Sequence, residues 1–446
     1  MRRDAAPVAG AVGICCGPHC GAADHGQASG MEQKPSVLVV GAGIVGLCTA
    51  WYLARAGADV TLVDRDGPGE GTSSGNAGAI SAGSVAPLAM PGILRQVPGM
   101  LLDPKGALHI PARYWPKALP WLWRFVMEAR PERVEKIAEA LAVLLNGAED
   151  RHLEILEAEG ALDLIERNGQ LYLYHNPAHL AKDDAAWALR RAHGLDMRVL
   201  NRIEVLELEP EVSKTYGTGV FLPQQSHSVN PLRQARVIAR GVERMGGRIL
   251  RGSVSAVIAE ERRVTGAIVD GTPIRTDHVV LAAGAWSAKL LAPLGIKVPL
   301  ESQRGYHIML PTPGVMPRRP VVPADRKVFI TPMEDGLRIA GSVEFGGTEA
   351  PPNPARAAML LEDLARVYPQ ADMRDARPHW MGHRPCLPDS LPVVGPVKAW
   401  PGLWCAFGHG HLGLTGSAPT GAMIASAMLG PKPNTDLTPF GVERFA

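Results

Sequence analysis

Aromatic residues make up only 5% of this 446-residue chain, and its 46 basic side chains nearly balance 44 acidic ones. A net charge of +2 gives no field strong enough to select nucleic acid, so that class of partner is excluded. Cysteine is scarce as well. Of Cys15, Cys16, Cys20, Cys48, Cys386 and Cys405, the last three are widely spaced. That spacing excludes a disulfide framework and reads as a reduced, intracellular protein. The cluster from Cys15 to Cys20 has metal-binding residue types, but no second ligand pair follows at zinc-site spacing, so no metal is expected. A membrane-spanning run is lacking too. Residues 399–431 contain no Asp, Glu, Lys or Arg, yet Pro401, Gly408, Gly410, Gly413, Gly416 and Pro419 interrupt them. No apolar stretch of about 20 residues survives those breaks. Residues 1–30 have no apolar core of signal-peptide length, and Met31, just before the first strand, reads as the natural start. Residues 1–35 are therefore expected to be a disordered extension.

What is present begins with a pure Val/Leu strand at 37–40, followed by Gly41-Ala42-Gly43-Ile44-Val45-Gly46, a small-residue helix, and a second strand ending in Asp64. This is the order a dinucleotide site needs. Gly41 allows the tight turn, Gly43 lets a pyrophosphate approach the backbone, and Gly46 lets helix and strand pack closely. Free N–H groups at the helix start bind the phosphates. Asp64, 18 positions after Gly46, is placed to accept hydrogen bonds from ribose hydroxyls, which disfavours NADP. NAD and FAD both remain open on this fingerprint.

The rest of the chain predicts an excursion and return. Thr72-Ser73-Ser74-Gly75-Asn76-Ala77-Gly78 is a run of small and hydroxyl residues suited to wrapping a polar ligand. Residues 116–160 carry helical periodicity, residues 162–174 alternate like a hairpin, and residues 177–194 are helical again. Asn230 and Pro231 open another helix as N-cap and first position. Strands then run from Ile249 to Asp270 and from His278, and a further antiparallel pair is expected at 327–344. The fold class is α/β plus α+β: a Rossmann-like domain from 36–87, 225–290 and 377–446, and an interleaved domain from 88–224 and 291–376 on a mixed, largely antiparallel sheet with helices. The segment from Tyr114 to Phe125 is Trp-rich and partly basic, and reads either as core packing or as a membrane-interface surface. The expected location is cytoplasmic, with peripheral contact at the inner face of the cytoplasmic membrane as the alternative.

Four ordered blocks carry a resemblance: the Gly41–Gly46 fingerprint; Thr72 to Gly78; Val280-Leu281-Ala282-Ala283-Gly284-Ala285-Trp286; and Gly382-His383-Arg384-Pro385 with Gly408-His409-Gly410-His411-Leu412-Gly413. Together they make the chain resemble the flavoprotein family of D-amino-acid dehydrogenases, D-amino-acid oxidase, glycine oxidase and sarcosine oxidase. The resemblance implies noncovalent FAD, held by these four blocks together with Arg65 and Val254. It also implies dehydrogenation of a D-amino or cyclic imino acid, D-proline or D-hydroxyproline-like, by hydride transfer from Cα to flavin N5. Electrons then pass to a quinone or an electron-transfer protein. Arg384 is the expected carboxylate clamp, because a planar guanidinium binds both oxygens at once. Tyr306 is expected to bond the substrate carboxylate or close the pocket, His307 to accept a proton from the amine or touch a ring hydroxyl, and His411 to lie beside the flavin and tune substrate choice. A glycine or sarcosine-type oxidase producing hydrogen peroxide, and a non-catalytic flavin-binding subunit, are the alternatives.

Overall fold

A computed structural model describes residues 34–93, 106, 108–431 and 435–446; the expected N-terminal extension lies almost wholly outside them. A six-stranded sheet runs in the order Arg248–Arg251, Asp59–Asp64, Ser36–Val40, His278–Leu281, Leu403–Phe407, Val393–Pro396. The first five strands are parallel and the last is antiparallel. Successive side chains of Ser36–Val40 point to opposite faces, so a strand covered on both sides must be apolar throughout. Val37 and Val39 enter a core shared with the helices Ile44–Arg55, Pro231–Arg244 and Ser417–Leu429. Leu38 and Val40 enter another, shared with Val264, Ala267 and Val269 of a small antiparallel sheet spanning 254–275. The helix Pro231–Arg244 starts as expected: the Asn230 side chain accepts the Arg233 N–H at 3.0 Å, with Pro231 in the first position.

The second sheet has nine strands and is mostly antiparallel. Its order is Trp380–Cys386, Glu301–Leu310, Gly336–Phe345, Phe329–Met333, Val321–Pro323, Gln170–Tyr174, Thr218–Leu222, Arg198–Asn201, with Leu108–His109 pairing beside Gly336–Phe345. The helix Pro354–Val367 covers one face, burying Leu360 and Leu364 against Ile308, Leu310 and Ile339.

Three sequence expectations need correction. Residues 162–174 do not form a hairpin: Ile165–Glu166 pairs with Ser226–Ser228, and Gln170–Tyr174 with Thr218–Leu222. Gly169, at φ +80°, separates the two strands into different sheets. The helices Pro131–Leu145 and Ala148–Ala158, assigned from sequence to the second domain, bury Ile137, Leu141, Ile155 and Leu156 in the core of the first. Trp380–Cys386, assigned to the first domain, is the edge strand of the second sheet. The core reading of the Trp-rich segment holds for Trp121. In the helix Trp115–Met127 it stacks on Phe125 and is buried against Phe345, while Leu119 and Trp123 are exposed. No helix among the described residues is long and apolar enough to cross a membrane.

Candidate active site

The parallel strands end where Gly41 turns the chain at φ +110° against the Ala282 carbonyl, in the left-handed region that favours glycine. A Cβ on Gly46 would overlap the Gly41 carbonyl oxygen and come within 3.2 Å of the Ala282 side chain. Gly46 is therefore a packing residue and does not itself line the cavity. Gly46→Ala is expected to yield protein without bound flavin and with reduced soluble yield. The flavin-to-protein absorbance ratio of the purified variant checks this, and a wild-type ratio would refute it.

Ser73 reaches across to accept the Ile44 N–H at 2.9 Å, tying the Thr72–Gly78 run to the helix start. Asp64 is more engaged than its position suggests. Its Oδ2 accepts the Ala42 N–H at 2.6 Å and its Oδ1 the Asp66 N–H at 2.9 Å. A carboxylate has about four acceptor positions, so lone pairs remain for hydroxyl donors.

From these strips one cavity of about 870 Å³ extends to the second sheet. Its volume is at the upper end for small-molecule sites. Asp64, Arg65, Val254 and Trp286 line one end, the latter with Arg65 stacked 4.0 Å over its ring. Thr72, Ser73, Gly75, Asn76 and Ala77, then Ala282, Ala283 and Gly284, and the whole of Gly408 to Gly413 line the middle. Arg384 and His411 line the far part, where Tyr306 also touches the wall although its hydroxyl lies on the other side of the sheet. Ala42, Gly46, Gly78 and His307 stand behind the wall. Ala42 is held by Asp64, and Gly78, at φ +83°, packs on the Ser228 carbonyl.

Alternation on the strand Glu301–Leu310 decides which side chains reach the cavity. Gln303 pairs with Arg384, Gly305 with Gly382, and His307 with Trp380, so these six share one face. A Cβ on Gly305 would occupy the space of the Arg384 guanidinium; the missing side chain is what lets the arginine lie across the strand. Arg384 donates to the Ser342 carbonyl at 2.8 Å and the Gly341 carbonyl at 3.4 Å. No carboxylate among the described residues pairs with it. Burial lowers its pKa. A desolvated guanidinium without a counter-charge is poised for an anionic ligand.

Tyr306 points the other way. Its hydroxyl donates to Glu344 at 2.5 Å and accepts the Asn353 N–H at 2.9 Å, while Glu344 pairs with Arg304 at 2.9 Å. Burial and the Glu344 carboxylate push the phenol up to about 12. The expectation that this hydroxyl binds a carboxylate is corrected: strand alternation puts it on the helix-covered face. His307 is corrected likewise. Its ring stacks on Trp380 at 4.9 Å and its Nδ1 lies 3.1 Å from the Gly75 carbonyl, so it carries the proton there and joins the sheet to the glycine run. Burial, aided by the Arg338 cation, holds its pKa near 3.

His409 turns its ring to Thr420, Nε2 to Oγ1 at 2.8 Å, and burial lowers it to about 3. His411 faces the cavity, through which it is exposed although protein surrounds it. Burial and the nearby Arg384 and Arg190 cations lower its pKa to about 4, so it is neutral at pH 7. No cluster of metal ligands exists among the described residues.

Several lining residues were not singled out from sequence: Tyr172, Tyr174, Trp187, Arg190 and Gln303. The run around Arg190 and Arg191 reads as a solvated helix face, and only the fold reveals that one of the pair turns inward. The glycine strips fit FAD. Where a pyrophosphate and an extended ring system must lie, bare backbone with glycine φ values of +89° at Gly408 and +55° at Gly410 replaces side chains.

Comparison with known proteins agrees. The DAO family, described as FAD dependent oxidoreductase, matches residues 36–427. The chain is 38% identical over 421 residues to a protein of Bradyrhizobium diazoefficiens named D-amino-acid oxidase, covering 93% of this chain and 100% of that one. It is 34% identical over 420 residues to D-amino acid dehydrogenase 2 of Pseudomonas aeruginosa, covering 92% and 98%. Among solved structures, iminodiacetate oxidase of a Chelativorans species has a TM-score of 0.70 at 23% identity, covering 91% and 98%, a likeness of fold.

Proposed function

This chain belongs to the DAO family of FAD-dependent oxidoreductases, and from that premise we propose that it dehydrogenates a D-amino or cyclic imino acid whose α-carboxylate is gripped by Arg384. The observation that carries the reading is the position of Arg384: a desolvated cation without a carboxylate partner among the described residues, in the same cavity as the glycine cradle. Bound FAD supplies the acceptor for the hydride leaving Cα. The chain's own work is positioning. Arg384 fixes the carboxylate, and Gln303, opposite it on the neighbouring strand, offers an amide to the same end of the substrate. Neutral His411 has one unprotonated ring nitrogen that accepts an N–H from the amine, and it does not carry the second proton of an imidazolium at pH 7, which keeps the amine lone pair free. An open-chain substrate gives an imine that hydrolyses to a 2-oxo acid and ammonia; a cyclic one gives a pyrroline carboxylate. The same reading takes the FAD as noncovalent: Cys386 lines the cavity, but burial raises its thiol to about 12, which disfavours the thiolate that attachment needs.

By resemblance of sequence alone, the segments at 72–78 and 304–307 favour a D-proline or D-hydroxyproline ring; the charged lining of the cavity is a separate constraint on the substrate. Electrons pass to a quinone or protein acceptor, and the exposed Leu119 and Trp123 support peripheral membrane contact. Direct reduction of oxygen is the second reading, favoured by the 38%-identical relative named as an oxidase. Anaerobic mixing of holoenzyme with D-proline, cis-4-hydroxy-D-proline, D-alanine, sarcosine, D-aspartate and D-glutamate is expected to bleach the flavin with at least one of them. Bleaching by none would refute the proposal and favour a non-catalytic subunit. Comparing peroxide formation with dye reduction then separates oxidase from dehydrogenase.

A further inference from the structure

The cavity holds a second cation that carboxylate binding at Arg384 does not use. Arg190, on the helix Asp184–Ala192, lines the same cavity, and its guanidinium lies 4.6 Å over the ring of Trp187. Trp187 is itself fixed: it is 2% exposed and its indole N–H donates to the Tyr174 hydroxyl at 3.0 Å. The guanidinium is thus held in place by an aromatic face, which contributes attraction but accepts no N–H hydrogen bond in the plane of the fork. The Arg190 Nε is buried and has no hydrogen-bond partner. No carboxylate among the described residues pairs with it. Asp183, which also lines the cavity, accepts the Tyr174 hydroxyl at 2.9 Å. Lys182 and Lys327 line the cavity as well, so with Arg190 the cations there outnumber that carboxylate. Arg190 and Arg384 both act on His411, which sets the two guanidinium groups in one neighbourhood with the imidazole within range of each.

We propose that Arg190 forms a second anion subsite, and that the substrate is an amino acid bearing a second carboxylate on its side chain, with D-aspartate and D-glutamate as the simplest members. The inference rests on the reading of the enzyme as a D-amino-acid oxidoreductase with Arg384 as the α-carboxylate clamp. With both ends of the substrate ion-paired, its Cα is suspended between two fixed forks. A buried N–H of a charged group left unpaired is costly, and a carboxylate pairs with two such donors at once. A neutral ring such as hydroxyproline leaves Arg190 unpaired, so acidic D-amino acids are ranked above it.

The test uses neutral isosteres. Steady-state kcat/KM of the holoenzyme is measured with D-glutamate against D-glutamine and D-aspartate against D-asparagine, in the wild type and in Arg190→Met and Arg190→Lys, with flavin content and melting temperature confirming the fold. One of the acidic substrates is expected to exceed its amide by about tenfold or more. That ratio is expected to collapse toward one in Arg190→Met and to recover in part in Arg190→Lys. Equal use of acid and amide by the wild type, or a ratio that survives Arg190→Met, overturns the subsite while the D-amino-acid reading stands. Flavin that no D-amino or imino acid bleaches overturns both.

Discussion

Arg384→Ala is expected to raise KM for the amino acid by about two to three orders of magnitude while FAD remains bound. Breaking a buried ion pair by deleting one partner costs roughly 3–5 kcal/mol, because the other charge stays desolvated and unpaired. Here the stranded charge is the substrate carboxylate, so the loss falls on binding. Loss of alignment at Cα lowers kcat as well. Arg384→Lys keeps the charge but loses the fork, and is expected to fall between the two. Gly305→Ala reaches the same outcome without touching the arginine, since the added methyl occupies the guanidinium's place. Steady-state kinetics with the flavin spectrum recorded on each variant checks all three. Wild-type KM in Arg384→Ala would move the clamp elsewhere.

Acidification is expected to unfold the protein well before its carboxylates titrate. His152, His307 and His409 are buried, with pKa values held down to about 4, 3 and 3 by burial. His152 shows why. Its Nε2 lies 2.8 Å from the Leu414 carbonyl and so carries the proton, leaving Nδ1 to accept from the Gln234 amide at 3.1 Å. A second proton would set two donors against each other. The unfolded chain binds protons at these rings below the ordinary histidine pKa of 6.5, and the folded chain does not. Stability is therefore full above pH 6.5 and falls as pH drops toward 4, by about 1.4 kcal/mol per histidine per unit. Three rings sum to roughly 6 kcal/mol between pH 6.5 and 5, comparable with the whole stability of many domains. Glu209, Glu301 and Asp363, whose burial raises their pKa, act in the opposite sense, but only as pH approaches the ordinary carboxyl range. Melting temperature recorded at pH 7.5 and 5 is expected to differ by on the order of 10 °C; a flat profile would refute the account.

The nucleotide-binding half was legible in the sequence because its demands are local. Gly41 and Gly46 answer to contacts within one turn and its neighbouring strand, and Asn230 caps its own helix. Arg384 was legible through the short motif around it. The failures share a different cause. Whether Tyr306 or Gly305 faces the cavity depends on which side of a nine-stranded sheet receives the helix Pro354–Val367, a fact about residues some fifty positions away. The helices from 131 to 158 carry an ordinary apolar stripe, and nothing in a stripe says which core it joins. Arg190 is the sharpest case. Beside Arg191 it reads as surface charge, and its burial is set by Trp187 beneath it and by strands distant in the chain.

The seam between the two sheets has a kinetic consequence. Thr72 exchanges two hydrogen bonds of 3.1 Å with the backbone of His383, the residue next to the clamp. One turn further on, Trp380 is wedged between Gly75 and His307. The segment that cradles the cofactor and the strand that carries the clamp are thereby riveted into one part. Under the proposed reading, the spacing between substrate and cofactor is inherited from folding and is not rebuilt at each turnover. Mutations that slow admission or release are expected to fall outside this seam.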